Sequence, residues 1–206
     1  MSRETDNVMR DNRVASFRGR VKGEPMGKWT RGFSIVAVGV TSALLLSACG
    51  GGSAAQSVAQ NLTAGIAAQN AGDYATATQD YNKVLAAQPQ NATALYDLGD
   101  VDQLQNLDAT ATTEYKEALA IDPNFISAMY NLATLEAGST PNDARVLYDQ
   151  IIKLSPRYAA AHFNLGYVLI SLGQQKAGLA EINEGVRLDP SLASRVTPTT
   201  TTTLHK

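Results

Sequence analysis

The 206-residue sequence predicts an all-α fold built from repeated pairs of helices. Two observations lead to this fold class. Prolines recur at intervals of 34, 33 and 34 residues, at Pro89, Pro123, Pro156 and Pro190. Between them, apolar residues recur at helical spacing in two successive segments of each interval, and no strand pattern is apparent. The chain therefore repeats one helix-turn-helix unit.

The most regular unit runs from residue 92 to residue 125. Its small, apolar, aromatic and proline residues at positions 4, 7, 8, 20, 24, 27 and 32 are Leu95, Leu98, Gly99, Ala111, Tyr115, Ala118 and Pro123. This combination resembles a tetratricopeptide repeat (TPR), and it meets every diagnostic position of that family except position 11. The resemblance implies an α-solenoid, a right-handed superhelix of stacked helix pairs.

The pattern has a physical reason. Gly99 and Ala111 lie where a bulky side chain would separate the two helices, and the ring of Tyr115 is expected to fill the space between them. Pro123 lacks an N–H group and disfavours helix in the residue before it, so the second helix should end there.

The resemblance covers roughly residues 58–190 in four units, which is more than the three that such arrays need for stability. The units are 58–91, 92–125, 126–158 and 159–192. Unit 1 has Asn61 at apolar position 4, so its core should be thinner. Unit 3 is one residue short, and the turn at residues 138–141 is the simplest place for the deletion.

Unit 4 departs most from the pattern. Gly178 and Gly185 replace the usual alanines and Ile182 replaces the aromatic residue. Since a glycine within a helix costs about 1 kcal/mol relative to alanine, the last helix is expected to be the loosest. No helix long enough to seal the array follows, so residues 179, 182, 186 and 188 are expected to be partly exposed or paired with another molecule. Residues 191–206 form a Thr-rich tail that is predicted to be disordered.

The N-terminal residues 1–48 differ in charge from the rest, with a balance of +4 against −6. They include an uncharged apolar run at residues 33–46, which as a helix would span about 21 Å, less than the roughly 30 Å of a bilayer core. The next residues complete Leu46-Ser47-Ala48-Cys49, which resembles the bacterial lipobox. This order predicts a signal peptide that is removed after lipid is attached to Cys49.

The lipobox resemblance implies an anchor in a cell membrane on the extracytoplasmic side, with residues 49–57 as the lipidated cysteine and a flexible tether. The alternative is a free thiol at the end of a transmembrane helix. A lone cysteine also excludes an intramolecular disulfide and a zinc site built on thiolates.

Candidate groups for catalysis are few, and the sequence predicts no enzyme and no cofactor. His162 occupies apolar position 4, which favours a core or semi-buried histidine, and His205 lies in the tail. Asp97, Asp100 and Asp102 are more typical of a solvated acidic face than of a metal site, because one helix cannot surround an ion. The folded part lacks a basic patch, which excludes nucleic acid as a partner.

The remaining candidate site is the surface formed by positions 2, 5, 6, 9, 12 and 13 of the first helix of each unit, called here the first-helix face. In TPR proteins this face lines the concave groove. The predicted partner-binding residues are Tyr96, Asp97, Asp100, Tyr130, Asn131, Phe163, Asn164 and Tyr167. The four rings would form an aromatic stripe for a protein or extended peptide. The alternative is that some rings pack against neighbouring helices.

The expected function is that of a membrane-anchored bacterial lipoprotein whose TPR array serves as an adaptor or scaffold in an envelope assembly. One alternative is a structural protein that self-associates through an uncapped C-terminal repeat. Another is a non-catalytic subunit of an envelope enzyme. The lysines with which some TPR proteins hold a C-terminal carboxylate are absent from the first-helix face, so that binding mode is not expected here.

Overall fold

A computed structural model describes residues 52–196 of the chain. The described part contains eight α-helices, followed by a short 3-10 helix at Pro190–Arg195. The α-helices are α1 Gly52–Ala71, α2 Tyr74–Ala87, α3 Ala92–Leu104, α4 Asp108–Ile121, α5 Ile126–Glu136, α6 Pro141–Leu154, α7 Ala159–Ser171 and α8 Gln175–Leu188. The prediction of an all-α solenoid is confirmed.

The helix ends follow from the sequence. Each of α2, α4, α6 and α8 ends two residues before the proline of its unit, where the ring and the missing N–H group stop a helix. Two starts have side-chain caps: Asp73 Oδ1 accepts a hydrogen bond from the Thr76 N–H group at 3.1 Å, and Asn91 Oδ1 accepts one from Ala94 at 2.9 Å. Local signals thus divide the array into pairs.

The two helices of units 1 and 2 pack through a glycine and a tyrosine ring. Tyr81 and Tyr115 are fully buried, and a Cβ atom on Gly65 or Gly99 would lie 2.6 or 2.7 Å from the facing ring. Any side chain larger than hydrogen would force the ring or the helix to move. The predicted role of Tyr115 as the filler between the helices is confirmed.

The contact between α7 and α8 corrects the expectation that the last helix is the loosest. A Cβ atom on Gly178 would lie 2.5 Å from the backbone oxygen of Gly166, and one on Gly185 would lie 2.8 Å from the backbone nitrogen of Phe163. Ile182, in the place of the tyrosine, is fully buried. The glycines therefore let the two backbones touch, and this contact compensates for the missing ring.

The missing residue of unit 3 is not in the turn. Helix α5 has 11 residues where α3 and α7 have 13, and residues 137–140 form a connection one residue longer than its counterparts at 105–107 and 172–174. Pro141 is the first residue of α6, a position that tolerates proline because no N–H group is needed there. The helix, not the turn, absorbs the deletion.

Both ends of the array differ from expectation. The predicted tether at residues 49–57 is helical from Gly52 onward, while residues 49–51 lie outside the described part. At the other end, Leu192 of the 3-10 helix is buried, and the Tyr167 hydroxyl donates to the Arg195 carbonyl oxygen at 3.3 Å. Leu179 and Ile182 are also buried, whereas Val186 and Leu188 are partly exposed as predicted. The chain itself therefore covers part of the predicted open end.

Cys49, the apolar run at residues 33–46 and the tail from residue 197 also lie outside the described part, so those predictions stay predictions. Among residues 52–196, no helix has the length and apolar character needed to cross a membrane.

Candidate functional site

Most of the predicted aromatic stripe is buried. Tyr130, Phe163 and Tyr167 are 7, 1 and 3% exposed, whereas Tyr96 is half-buried. The expectation that these rings line an open groove is therefore wrong for the rings of units 3 and 4. They belong to the core of the C-terminal half of the array.

The residue that ends each unit explains this burial. Phe125 lies 4.9 Å from Tyr96 between ring centroids, and Tyr158 lies 5.5 Å from Tyr130. Leu192 belongs to the same core as Phe163. All three terminal residues stand two positions after the unit's proline. An apolar residue at that place covers the ring at position 5, which the repeat pattern alone does not reveal.

The two predicted amides also have internal partners. Asn131 Nδ2 donates to Asp100 Oδ1 at 2.7 Å and to the Tyr115 hydroxyl at 3.2 Å. Asn164 Nδ2 donates to the hydroxyls of Tyr130 and Tyr148 at 3.0 and 3.3 Å. In both cases, position 6 of one unit binds the tyrosine at position 24 of the unit before it. We call these contacts the position-6 ladder, and they fix each unit on its neighbour.

Asp100 is part of this ladder and not part of a solvated face. Its carboxylate is buried and lies 2.8 Å from the Tyr115 hydroxyl, which is also 2.8 Å from Gln103 Oε1. Burial, followed by the nearby Asp100 charge, raises the pKa of Tyr115. Asp102 is buried too, so the prediction of a solvated acidic face is wrong for both residues.

Asp102 contacts another carboxyl group, that of Glu114, which the sequence analysis did not predict. Its side chain is hydrogen-bonded to that of Glu114 of α4, and Glu114 Oε2 is buried without a hydrogen-bond partner. Burial, then the charge of Asp102, raises the pKa of Glu114 to about 8, and burial raises the pKa of Asp102 as well. The sequence did offer a signal for this contact, because Asp102 occupies position 11, the one position of unit 2 that departs from the repeat pattern.

In unit 3 the acid at position 11 is paired with a cation, which Asp102 in unit 2 lacks. That acid, Glu136, forms a salt bridge of 2.7 Å with Lys116 in the helix before it. The residue that corresponds to Lys116 in unit 1 is Asn82, which brings no charge. Asp102 and Glu114 therefore share a proton where unit 3 has a cation.

The first-helix face remains accessible at units 1 and 2. Tyr96 and Asp97 are half-buried, and Ile66 of α1, at position 9 of unit 1, is 42% exposed. Ile66 is not among the predicted binding residues. The sequence signal for it was an apolar residue at position 9 of a unit that has no aromatic ring at position 5. Asp97 occupies position 6, where units 3 and 4 have asparagine. Burial is the main cause of the raised pKa of Tyr81, and the charge of Asp97 is the next.

His162 is structural, as predicted. It is buried, with Nδ1 at 2.7 Å from Glu181 Oε2 and Nε2 at 3.0 Å from the carbonyl oxygen of Pro156. These contacts connect α7 to α8 and to the end of unit 3. Within residues 52–196, no group of three or more histidine, cysteine or carboxylate side chains is arranged to hold a metal ion.

Comparison with family models and solved structures agrees with the fold. Models described as tetratricopeptide repeats match residues 62–124 and 147–180. A crystal structure of MamA protein is 23% identical, covers 68% of this chain and 78% of its own, and has a TM-score of 0.63. No curated protein matches the sequence.

Two further solved structures have a similar fold. The first TPR of Spaghetti (RPAP3), bound to an HSP90 peptide, is 18% identical with a TM-score of 0.55, over 57% of this chain and 94% of that one. A Thermobaculum terrenum O-GlcNAc transferase mutant is 26% identical with a TM-score of 0.58, over 65% of this chain but only 26% of the transferase. Helix pairs, ladder and family models together show that the described part of the chain is an all-α solenoid, in which residues 62–124 and 147–180 match tetratricopeptide repeats.

Proposed function

We propose that this protein is an extracytoplasmic lipoprotein, anchored through Cys49, whose TPR array binds a protein or peptide as an adaptor or scaffold in an envelope assembly. The observation that carries the binding role is a contrast along the first-helix face. Units 3 and 4 use their rings and amides to hold the solenoid together, whereas in units 1 and 2 Ile66 is exposed and Tyr96 and Asp97 are only partly buried.

The comparisons support a binding role for this fold. One similar structure is a TPR bound to an HSP90 peptide, and TPR arrays in general present an extended binding surface. The transferase match covers only a quarter of that enzyme, so its activity gives no reason to propose catalysis here.

The anchor is supported by the order of basic segment, short apolar run and Leu46-Ser47-Ala48-Cys49. Because α1 begins at Gly52, the lipidated cysteine would be only three residues, or about 10 Å of extended chain, from the first helix. Unit 1 would then lie beside the membrane surface. The test is Cys49→Ser in the native host, which should release the protein from membranes or leave an unprocessed precursor. Wild-type protein with an intact N-terminus and no lipid mass would contradict the anchor.

The binding role is tested by photocrosslinking from two positions of equal exposure. A photoreactive residue at Ile66, 42% exposed on the first-helix face, should crosslink to a specific protein in living cells. The same residue at Leu154, 44% exposed at the end of α6, is the control. A crosslink from position 154 alone would place the binding surface elsewhere, and a crosslink from neither position would contradict the adaptor role.

A further inference from the structure

The imidazole ring of His162 lies between two hydrogen-bond acceptors. Its Nε2 atom is 3.0 Å from the carbonyl oxygen of Pro156, and its Nδ1 atom is 2.7 Å from Glu181 Oε2. A carbonyl oxygen and an ionised carboxylate can only accept, whereas a neutral imidazole has a single N–H group to donate. Both contacts are therefore complete only when the pair holds one further proton, on the ring or between Nδ1 and Oε2.

The two contacts join three segments of the chain. Pro156 belongs to the connection between α6 and α7, His162 to α7 and Glu181 to α8. Units 2 and 3 have Leu95 and Met129 at the same position 4, and both are buried. Those apolar side chains pack in the same way at any pH. In the last repeat, by contrast, the packing at position 4 depends on a proton.

The two partners differ in their access to water. The side chain of His162 is 10% exposed, whereas that of Glu181 is 32% exposed. When the proton is lost, Glu181 can turn toward water while the ring keeps its one N–H group on Pro156. Nδ1 is then a buried acceptor without a donor, which costs free energy. The contact that is lost is the one between α7 and α8.

The charges around the pair do not replace this proton. The charged groups on the elements packed around it are Glu184 and Arg187 of α8, Arg145 and Asp149 of α6, and Arg157 of the connection between α6 and α7. Arg187 Nε donates to Glu184 Oε2 at 2.7 Å, and this pairing is the main cause that lowers the pKa of Glu184. Within residues 52–196, Glu181 forms a salt bridge with His162 and with no lysine or arginine.

We propose that His162 and Glu181 form a proton-dependent latch that holds α8 on α7. Without the proton, α8 and the 3-10 helix that follows it are held less firmly. Leu192 of this 3-10 helix packs in the same core as Phe163, so opening of the latch loosens the cover of the last repeat. Because folding with both contacts binds a proton, the stabilisation is complete at acidic pH. It is lost as the pH rises through the range of about 5 to 8 in which histidine changes its charge.

The test is backbone hydrogen exchange, followed by mass spectrometry on the full-length protein in detergent at about pH 5.5 and about pH 8. The measured quantity is the protection factor of α8, which corrects for the pH dependence of intrinsic exchange. In wild type it should fall about tenfold between the two pH values, as expected for the loss of one charge-assisted hydrogen bond. The carboxyl pair of unit 2 is the same in every variant and cannot cause a difference between them.

Two substitutions remove the need for the proton in different ways. His162→Met introduces the residue that unit 3 has at position 4, and its α8 protection should change by less than about twofold between the two pH values. Glu181→Gln supplies an amide that can donate to Nδ1 of the neutral ring while Nε2 donates to Pro156. Its protection should match that of wild type at acidic pH and remain there at about pH 8.

Glu184→Gln is a graded comparison, because the charges of Glu184 and His162 act on each other. It should retain most of the pH dependence of wild type. Wild-type α8 protection that does not change with pH would overturn the latch. So would a Glu181→Gln variant with the full pH dependence of wild type, because the proton would then be held elsewhere. If His162→Met does not fold, Glu181→Gln still decides, since it leaves the buried ring in place.

Discussion

Replacing Glu114 by glutamine should remove a pH-dependent weakness of unit 2. In the folded protein, burial and the neighbouring Asp102 raise the pKa of Glu114 from about 4.5 to about 8, so the folded state holds a proton that the unfolded chain releases. This bound proton stabilises the folded state fully below about pH 4.5, and the stabilisation is lost as the pH rises through about 8. Glu114→Gln keeps a hydrogen-bond donor toward Asp102 and does not ionise.

The magnitude follows from the shift. The difference between a pKa of about 4.5 and one of about 8 corresponds to about 5 kcal/mol at 1.36 kcal/mol per pKa unit. Glu114 is only partly buried, so solvent screening reduces the expected effect to about 2 kcal/mol. Asp102 titrates together with it, and the proton belongs to both groups. Between about pH 5 and about pH 8, wild type should therefore lose about 2 kcal/mol relative to Glu114→Gln.

The measurement is urea unfolding followed by far-ultraviolet circular dichroism at several pH values. Glu117→Gln is a graded comparison, because the charge of Glu117, which is exposed on the same helix, also raises the pKa of Glu114. Its removal should reduce the pH dependence, but less than Glu114→Gln does. If Glu114→Gln and wild type show parallel pH profiles, the shared proton does not exist. If Glu117→Gln flattens the profile as fully as Glu114→Gln does, the effect comes from the net charge of unit 2 and not from the buried contact.

Two further substitutions test the packing. Tyr115→Phe removes the hydroxyl that contacts Asp100, Gln103 and Asn131, and should lower the unfolding free energy by about 1–3 kcal/mol in urea titrations; a loss below about 0.5 kcal/mol would mean that the ladder contributes little. Gly178→Ala adds a Cβ atom 2.5 Å from the Gly166 oxygen and should lower the thermal midpoint through a loss of about 1–3 kcal/mol, and a rise in the midpoint would show that α7 and α8 do not touch there.

The features that the sequence predicted correctly depend on neighbours within one unit. Pro123 ends α4 through its own ring, and Gly99 admits the Tyr115 ring because both lie in one helix pair. Contacts of this kind repeat with the unit, so spacing alone reveals them. The same reasoning found the structural role of His162, whose position in the repeat indicates burial.

The errors at the predicted binding residues concern side chains whose environment depends on another unit. Tyr130 was expected in the groove, but Tyr158 covers it. Asn164 was expected to meet a partner, but its amide reaches back to Tyr148 of the unit before. The repeat pattern places these side chains on the correct face of the helix, yet it does not specify which neighbour occupies that face.

The division of the array into two halves connects these corrections to function. In units 3 and 4, position 6 is asparagine, the rings at position 5 are covered and the 3-10 helix covers the last repeat, so the first-helix face there is part of the core. In unit 2, position 6 is Asp97, and Ile66 of unit 1 is exposed. If Cys49 carries lipid, the accessible half is the one that begins three residues from the membrane, because α1 begins at Gly52. A partner segment bound there would lie close to the membrane surface. Lengthening the chain between Cys49 and Gly52 with a flexible insert should therefore weaken association with a membrane-bound partner while leaving the affinity for a free peptide unchanged.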